Sequence, residues 1–172
     1  SSGLLQKNHL IHKGAVDILY SNNSQKLRCN QNREVSKANI DDILYLKEEL
    51  AKHYKQDIFK FTRGVEIPKP IATTDTLLSK IMLGTLGCVP AYDRYFIDGL
   101  KEMKMEHTSF NKSSLNELFN FTGKNQNEII QVQKLILSKT QIHYPKMKIL
   151  DMYFWQIGYD KELKEKENKS KK

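Results

Sequence analysis

What the chain lacks narrows it first. It contains no run of about 18 apolar residues, the length a membrane-spanning helix needs, so no transmembrane segment and no membrane partner is expected. Cysteine is scarce, with Cys29 and Cys88 the only 2 in 172 residues. They lie far apart and outside any Cys-x-x-Cys pair, which argues against a zinc ribbon, a thioredoxin-type motif or a four-cysteine iron–sulfur cluster. Two free thiols in a reducing compartment are the default reading, and a cytoplasmic location is the matching expectation. The phosphate-binding and catalytic signatures G-x-x-x-x-G-K-[ST], G-x-G-x-x-G, H-E-x-x-H and G-x-S-x-G are all missing. The 5 histidines are scattered. His9 and His12 have the spacing to share a helical face, but a zinc site takes three or four ligands and nothing completes one, so neither metal nor cofactor is expected. Period-two alternation is also wanting. Gln56 to Thr62, with Ile58, Phe59 and Phe61, is the sole strand candidate, and no internal repeat is visible. The opening Ser1-Ser2-Gly3 has neither the basic nor the apolar stretch of a secretory signal; without Met, the expectation is that the native N-terminus lies elsewhere.

What remains is a helical, basic chain. Hydrophobic residues make up 39% and charged residues 28%, a globular balance, and the formal net charge is +8. A positive excess favours phosphate-bearing partners, so DNA is the first partner expected and a protein partner the second. Apolar residues at Leu4, Ile11, Ala15, Ile18 and Leu19 mark one helical face, followed by a polar break at Ser21 to Ser24 and a basic loop from Gln25 to Lys37. Asn39 reads as the N-cap of a helix carrying Ile40, Ile43, Leu44, Leu50 and Tyr54. Pro68 and Pro70 interrupt; a helix from about Thr74 to Leu86 follows, with Gly84 and Gly87 favouring its break. Asp93 caps a helix running from Arg94 to about Met105. Ser114-x-x-Glu117 has capping-box spacing for a short helix ended by Thr122-Gly123. A further helix covers Asn127 to about Ile142, and Pro145 opens a last one stopped at Gly158. The expected fold class is therefore all-α, a compact bundle of about six or seven helices. Residues 1–158 form one helical domain and residues 159–172 a charged, flexible tail.

One stretch carries a chemical signal. From Leu77 to Phe96 an apolar helix runs into a loop containing Gly84, Gly87 and Pro90, and the loop delivers Asp93 to a helix start covered by Tyr92, Tyr95 and Phe96. Glycine lets backbone approach a ligand, proline stiffens that approach, and a carboxylate beside apolar neighbours can be tuned for base or electrostatic work. Asp is also among the best N-caps, so the same residue serves as ordinary punctuation.

Over roughly residues 66 to 100 this pattern resembles the helix-hairpin-helix DNA glycosylase superfamily, in which a Gly/Pro-rich loop precedes an invariant aspartate. The resemblance implies a helical fold with a cleft between two lobes and base excision from DNA, with Asp93 as the catalytic carboxylate that activates water or stabilises cationic sugar character. Lys69, Lys80, Arg94 and Lys101 are then the candidates for phosphate or sugar contact, and Tyr92 and Tyr95 for base stacking, against a competing reading of these rings as core. The family's hairpin glycines have no counterpart here, where Thr74 and Thr76 stand. The alternative function is a non-enzymatic helical module that binds DNA or a protein partner, including a subunit of a larger assembly.

Overall fold

The computed structural model describes residues 9–57 and 73–170. Lys69, Pro68 and Pro70 lie outside the described residues, as do residues 4–8 of the first apolar stretch and most of the strand candidate, whose first two residues end a helix instead. Among the described residues the molecule is helical throughout, with no strand and one isolated bridge between Asn30 and Arg33. Eight α-helices follow in chain order: α1 Lys13–Tyr20, α2 Asn22–Gln25, α3 Ile40–Asp57, α4 Asp75–Leu86, α5 Arg94–Glu102, α6 Lys112–Lys124, α7 Gln126–Thr140 and α8 Lys146–Ser170. No helix among the described residues is long and apolar enough to cross a membrane.

The expected caps are partly displaced, each for a local reason. The break after α1 holds a further single turn, because Ser21 accepts the Ser24 amide at 3.3 Å and starts α2. The Asn39 carboxamide does not cap α3 directly. It reaches back to accept the Ser36 amide at 2.9 Å, so the chain turns into α3 through a 3₁₀ turn at Lys37–Asn39. Gly84 sits inside α4, and the break falls at Gly87, whose left-handed φ of 69° lets its amide reach the carbonyls of Met82 and Leu83 at 3.1 Å. The cap of α6 is Asn111, which accepts from Ser114 N at 2.9 Å, and not Ser114 itself. Ser114 is buried and bonds the Tyr92 hydroxyl at 2.8 Å, while Glu117 accepts the Glu106 and His107 amides at 3.0 Å. The Thr122-Gly123 pair does not end α6, which continues to Lys124.

The largest revision concerns Gly158. It does not stop the last helix; α8 runs through it to Ser170, so residues 159–170 are helical. Gly158 is buried because α8 crosses α5 there at close range. A Cβ on Gly158 would lie 2.0 Å from Tyr95 O, and one on Gly99 would lie 1.9 Å from Phe154 O. Two glycines, one per helix, thus let the backbones touch, and α5 with α8 forms the most extensive helix pair.

Around this crossing lies the core: Phe96, Leu100 and Phe154 from the crossing helices, Met82 and Leu78 from α4, Leu115 and Leu118 from α6, and Ile43 and Leu50 from α3, all buried. Each large apolar side chain so buried contributes about 1.5–3 kcal/mol of transfer free energy, so the crossing is held by its surroundings as well as by its own contacts.

Candidate functional site

The connector between α4 and α5 is fully packed. Cys88, Val89, Pro90, Ala91 and Tyr92 are all buried, so the loop behaves as core and delivers Asp93 at a fixed position. Three side chains anchor it. Ser79 Oγ accepts the Tyr92 amide at 2.8 Å, Thr76 Oγ1 donates to Tyr92 O at 2.7 Å, and Asp151 Oδ1 on α8 accepts the Ala91 amide at 2.9 Å.

Asp93 caps α5 as its sequence position suggests, accepting the Phe96 amide at 3.1 Å through Oδ1. Its second oxygen lies 3.1 Å from Lys80 Nζ, with the Asp93 side chain 17% exposed. Beside it, Asp151 Oδ2 pairs with Lys148 Nζ at 2.8 Å. These two ion pairs lie along one groove of about 800 Å³, whose remaining walls include Leu83, Ile149, Met152, Tyr153 and Trp155. The groove therefore combines apolar walls with two ion pairs, with the positive N-terminal end of α5 at its edge. A carboxylate there, next to a helix N-terminus and an ammonium, is suited to stabilising developing positive charge on a bound molecule.

The sequence candidates divide sharply on this geometry. Asp93 and Lys80 meet in the groove. Arg94 turns away from it, pairing with Glu162 on α8 and lying over the Tyr95 ring at 4.5 Å. Its guanidinium is held charged more firmly than usual by Tyr95 and Glu162. Lys101 is exposed at the far end of α5 and lies 3.8 Å from Asp98. Tyr92 is 1% exposed, stacked on Phe110 with ring centroids 4.9 Å apart, and burial pushes its phenol well above the ordinary range. It is therefore core, and no base can stack on it. Tyr95 is half-buried in an aromatic cluster, edge-on to Trp155 at 5.0 Å and to Tyr159 at 5.5 Å, with Arg94 over its ring, so its ring is already packed by protein groups.

The groove's other charged members, Lys148 and Asp151, have no counterpart among the sequence candidates. Their signal was a Lys-x-x-Asp pair on the last helix, and such i,i+3 pairs are common on solvated helix faces. What distinguishes Asp151 is burial, which depends on the α5–α8 crossing and cannot be read from spacing. Tyr153 is 44% exposed in the groove wall, while its neighbour Phe154 takes the core position.

Among the described residues no cluster of His, Cys, Asp and Glu has the geometry of a metal site. Cys29 and Cys88 are free; burial pushes the Cys29 thiol up to about 12 and drives Cys88 higher still, so neither is an activated nucleophile. No family model, no curated protein and no solved structure matches this chain.

Proposed function

We propose that this chain is a nucleic-acid-associated helical protein of helix-hairpin-helix glycosylase type, which excises a base with the help of Asp93. The observation that carries the reading is the position of that carboxylate: at a helix start, partly exposed, on the wall of a groove large enough for a nucleotide, beside Lys80. A base must leave the stack to reach such a site. As its glycosidic bond lengthens, positive charge grows on the sugar, and Asp93 supplies the compensating negative charge. Lys80 is placed to contact the sugar or the flanking phosphate. The apolar wall that includes Leu83, Met152 and Trp155 receives the uncharged base, and water completes the hydrolysis: its oxygen bonds to the anomeric carbon as the glycosidic bond breaks, and its proton passes to the departing base nitrogen.

The test is incubation of the protein with duplexes carrying deaminated, oxidised or alkylated bases, comparing wild type with Asp93→Asn. Excision by wild type, reduced at least 100-fold (roughly 10²) in the variant, is the expected result for a charge-stabilising group. Absence of excision from every duplex refutes the enzymatic reading.

A second reading has its own observation. Each groove carboxylate is already occupied, Asp93 by Phe96 N and Lys80, Asp151 by Ala91 N and Lys148. Such pairs also serve as clamps in a non-enzymatic helical module. Salt-dependent DNA binding that Asp93→Asn leaves unchanged, with no base released, selects this second reading.

A further inference from the structure

The basic segment between α2 and the 3₁₀ turn before α3 has a feature its sequence does not announce. Residues 26–37 hold four cations, Lys26, Arg28, Arg33 and Lys37, against a single carboxylate, Glu34. That carboxylate is turned inward. Its oxygens accept the Lys146 amide at 3.1 and 3.2 Å, where α8 begins, and the Gln133 carboxamide of α7 at 3.0 Å, and they face His143 Nε2 at 3.4 Å. The one negative charge of the segment is thereby spent on a helix N-terminus, and all four cations are left on the exposed side.

The segment is also preformed. Arg33 donates from Nε to Arg28 O at 3.0 Å and from Nη2 to Gln25 O at 2.9 Å, which folds the loop without neutralising the guanidinium. Asn30 and Arg33 bridge through their backbones, and Asn30 Oδ1 accepts the Asn32 amide at 2.9 Å. The Cys29 amide donates to Leu86 O at 2.8 Å, tying the loop to the end of α4. A concave surface of about 470 Å³ opens beside it, lined by Arg28, Asn30, Gln31, Asn32 and His143. Exposed cations on an ordered loop, interleaved with exposed carboxamides, suit a chain of phosphates and sugars, which offers repeated anionic and polar contacts.

Its place relative to the groove gives the direction. Glu34 grips the first residue of α8, the helix that also supplies Lys148 to the groove wall. Pro145 packs against Gly87, where the Asp93 loop begins. We infer that residues 26–37 form the surface that carries the sugar–phosphate backbone of a nucleic-acid strand toward the Asp93 groove. This inference rests on the nucleic-acid reading above and adds to it the contact surface.

The experiment measures binding of fluorescently labelled single-stranded and duplex oligonucleotides across a salt series. Wild type is compared with Lys26→Ala/Arg28→Ala/Lys37→Ala and with the charge-preserving Lys26→Arg/Arg28→Lys/Lys37→Arg. Arg33 is left intact because it folds the loop. Loss of three phosphate contacts makes the slope of log K against log salt shallower by roughly 2–3 units, while the charge-preserving variant keeps the wild-type slope. A thermal melt establishes that each variant is folded, as expected for exposed side chains. Alanine and wild-type proteins that bind with the same slope overturn the inference, as does a wild type that binds neither oligonucleotide at low salt. Binding with the expected slopes but no base release supports this surface while removing the glycosylase chemistry, so the two ideas fail separately.

Discussion

The glycine contact between α5 and α8 makes the sharpest demand on the sequence. Alanine in the interior of a helix is ordinarily better than glycine by about 0.5–1 kcal/mol, because glycine loses more backbone freedom on folding. At Gly158 and Gly99 the sign must reverse. The added methyl would stand 2.0 Å from Tyr95 O in one case and 1.9 Å from Phe154 O in the other. Both obstacles are backbone atoms in helices, so no rotamer change relieves them. The helices must separate by more than 1 Å (roughly, to restore van der Waals contact), which loosens the packing of Phe96 against Phe154, now 5.6 Å apart between ring centroids. Overpacking of this kind costs about 1–3 kcal/mol and sometimes more. Because both obstacles are backbone, the upper part of that range, about 2–3 kcal/mol, applies; with the propensity gain of about 0.5–1 kcal/mol subtracted, Gly158→Ala is expected to destabilise the protein by about 1–2.5 kcal/mol, or a fall in Tm of roughly 2–10 °C for a chain of this size. Gly84 and Gly123 are the controls. Both lie inside helices, are exposed and have nothing within 4 Å of the added methyl, so Gly84→Ala and Gly123→Ala should raise Tm by roughly 1–4 °C. Circular dichroism melts of the four single variants decide the matter. Gly158→Ala melting at or above wild type, or Gly84→Ala falling as far as Gly158→Ala, refutes the close-crossing argument.

Three further outcomes follow, one from the groove and two from buried titratable groups. Asp151→Ala strands the buried Ala91 amide without an acceptor and should cost about 1–3 kcal/mol in denaturant unfolding, whereas Asp151→Asn keeps an acceptor and should cost less; equal losses for the two would show that the Lys148 pair, and not the amide bond, matters. On the alkaline side, burial raises the Cys29 thiol from 9.0 to about 12 and raises Cys88, Tyr54 and Tyr92 as well. A raised acid stabilises the fold fully below its unfolded pKa and loses that contribution as pH climbs toward the folded value, so Tm should fall progressively above about pH 9, and less steeply in Cys29→Ala/Cys88→Ala. On the acid side His12 runs the other way: burial first, then His53 and His9, lower its pKa below 6.5, so its contribution is present above that value and lost as pH falls further.

How much of this was legible beforehand depends on which interactions are local. The helix between Thr74 and Leu86, the Gly87 stop and the Asp93 cap are short-range devices, in which a side chain or a left-handed glycine satisfies amides and carbonyls within one turn, and the sequence declares them. Ser114 and Glu117 also have local capping spacing, yet tertiary partners claim both: Tyr92 takes the Ser114 hydroxyl and the chain at Glu106 and His107 takes the Glu117 carboxylate, leaving Asn111 to cap α6. Gly158 misleads for the same reason. Read locally it is a stop, but its purpose is set by a helix some sixty residues earlier, at Tyr95. Half the groove was visible, because Asp93 and Lys80 lie near each other along the chain. Lys148 and Asp151 join them through the same long-range crossing, and no spacing rule reports it.

The two groove carboxylates are held by bonds of different strength, and that difference assigns their roles. Asp151 is buried and accepts a buried amide, so releasing it would leave a polar group unsatisfied inside the protein. Asp93 spends one oxygen on an amide at a helix start, but its other partner is Lys80, whose side chain is 55% exposed. An ion pair of that kind is worth about 0–1 kcal/mol, because water solvates the ammonium almost as well as the carboxylate does. An incoming phosphate or sugar can therefore draw Lys80 aside at little cost and leave one Asp93 oxygen facing the groove, still aimed by its cap. On the proposed reading, Asp151 is the fixed carboxylate that shapes the loop and Asp93 the available one that meets a ligand, and its capping role is compatible with that chemistry.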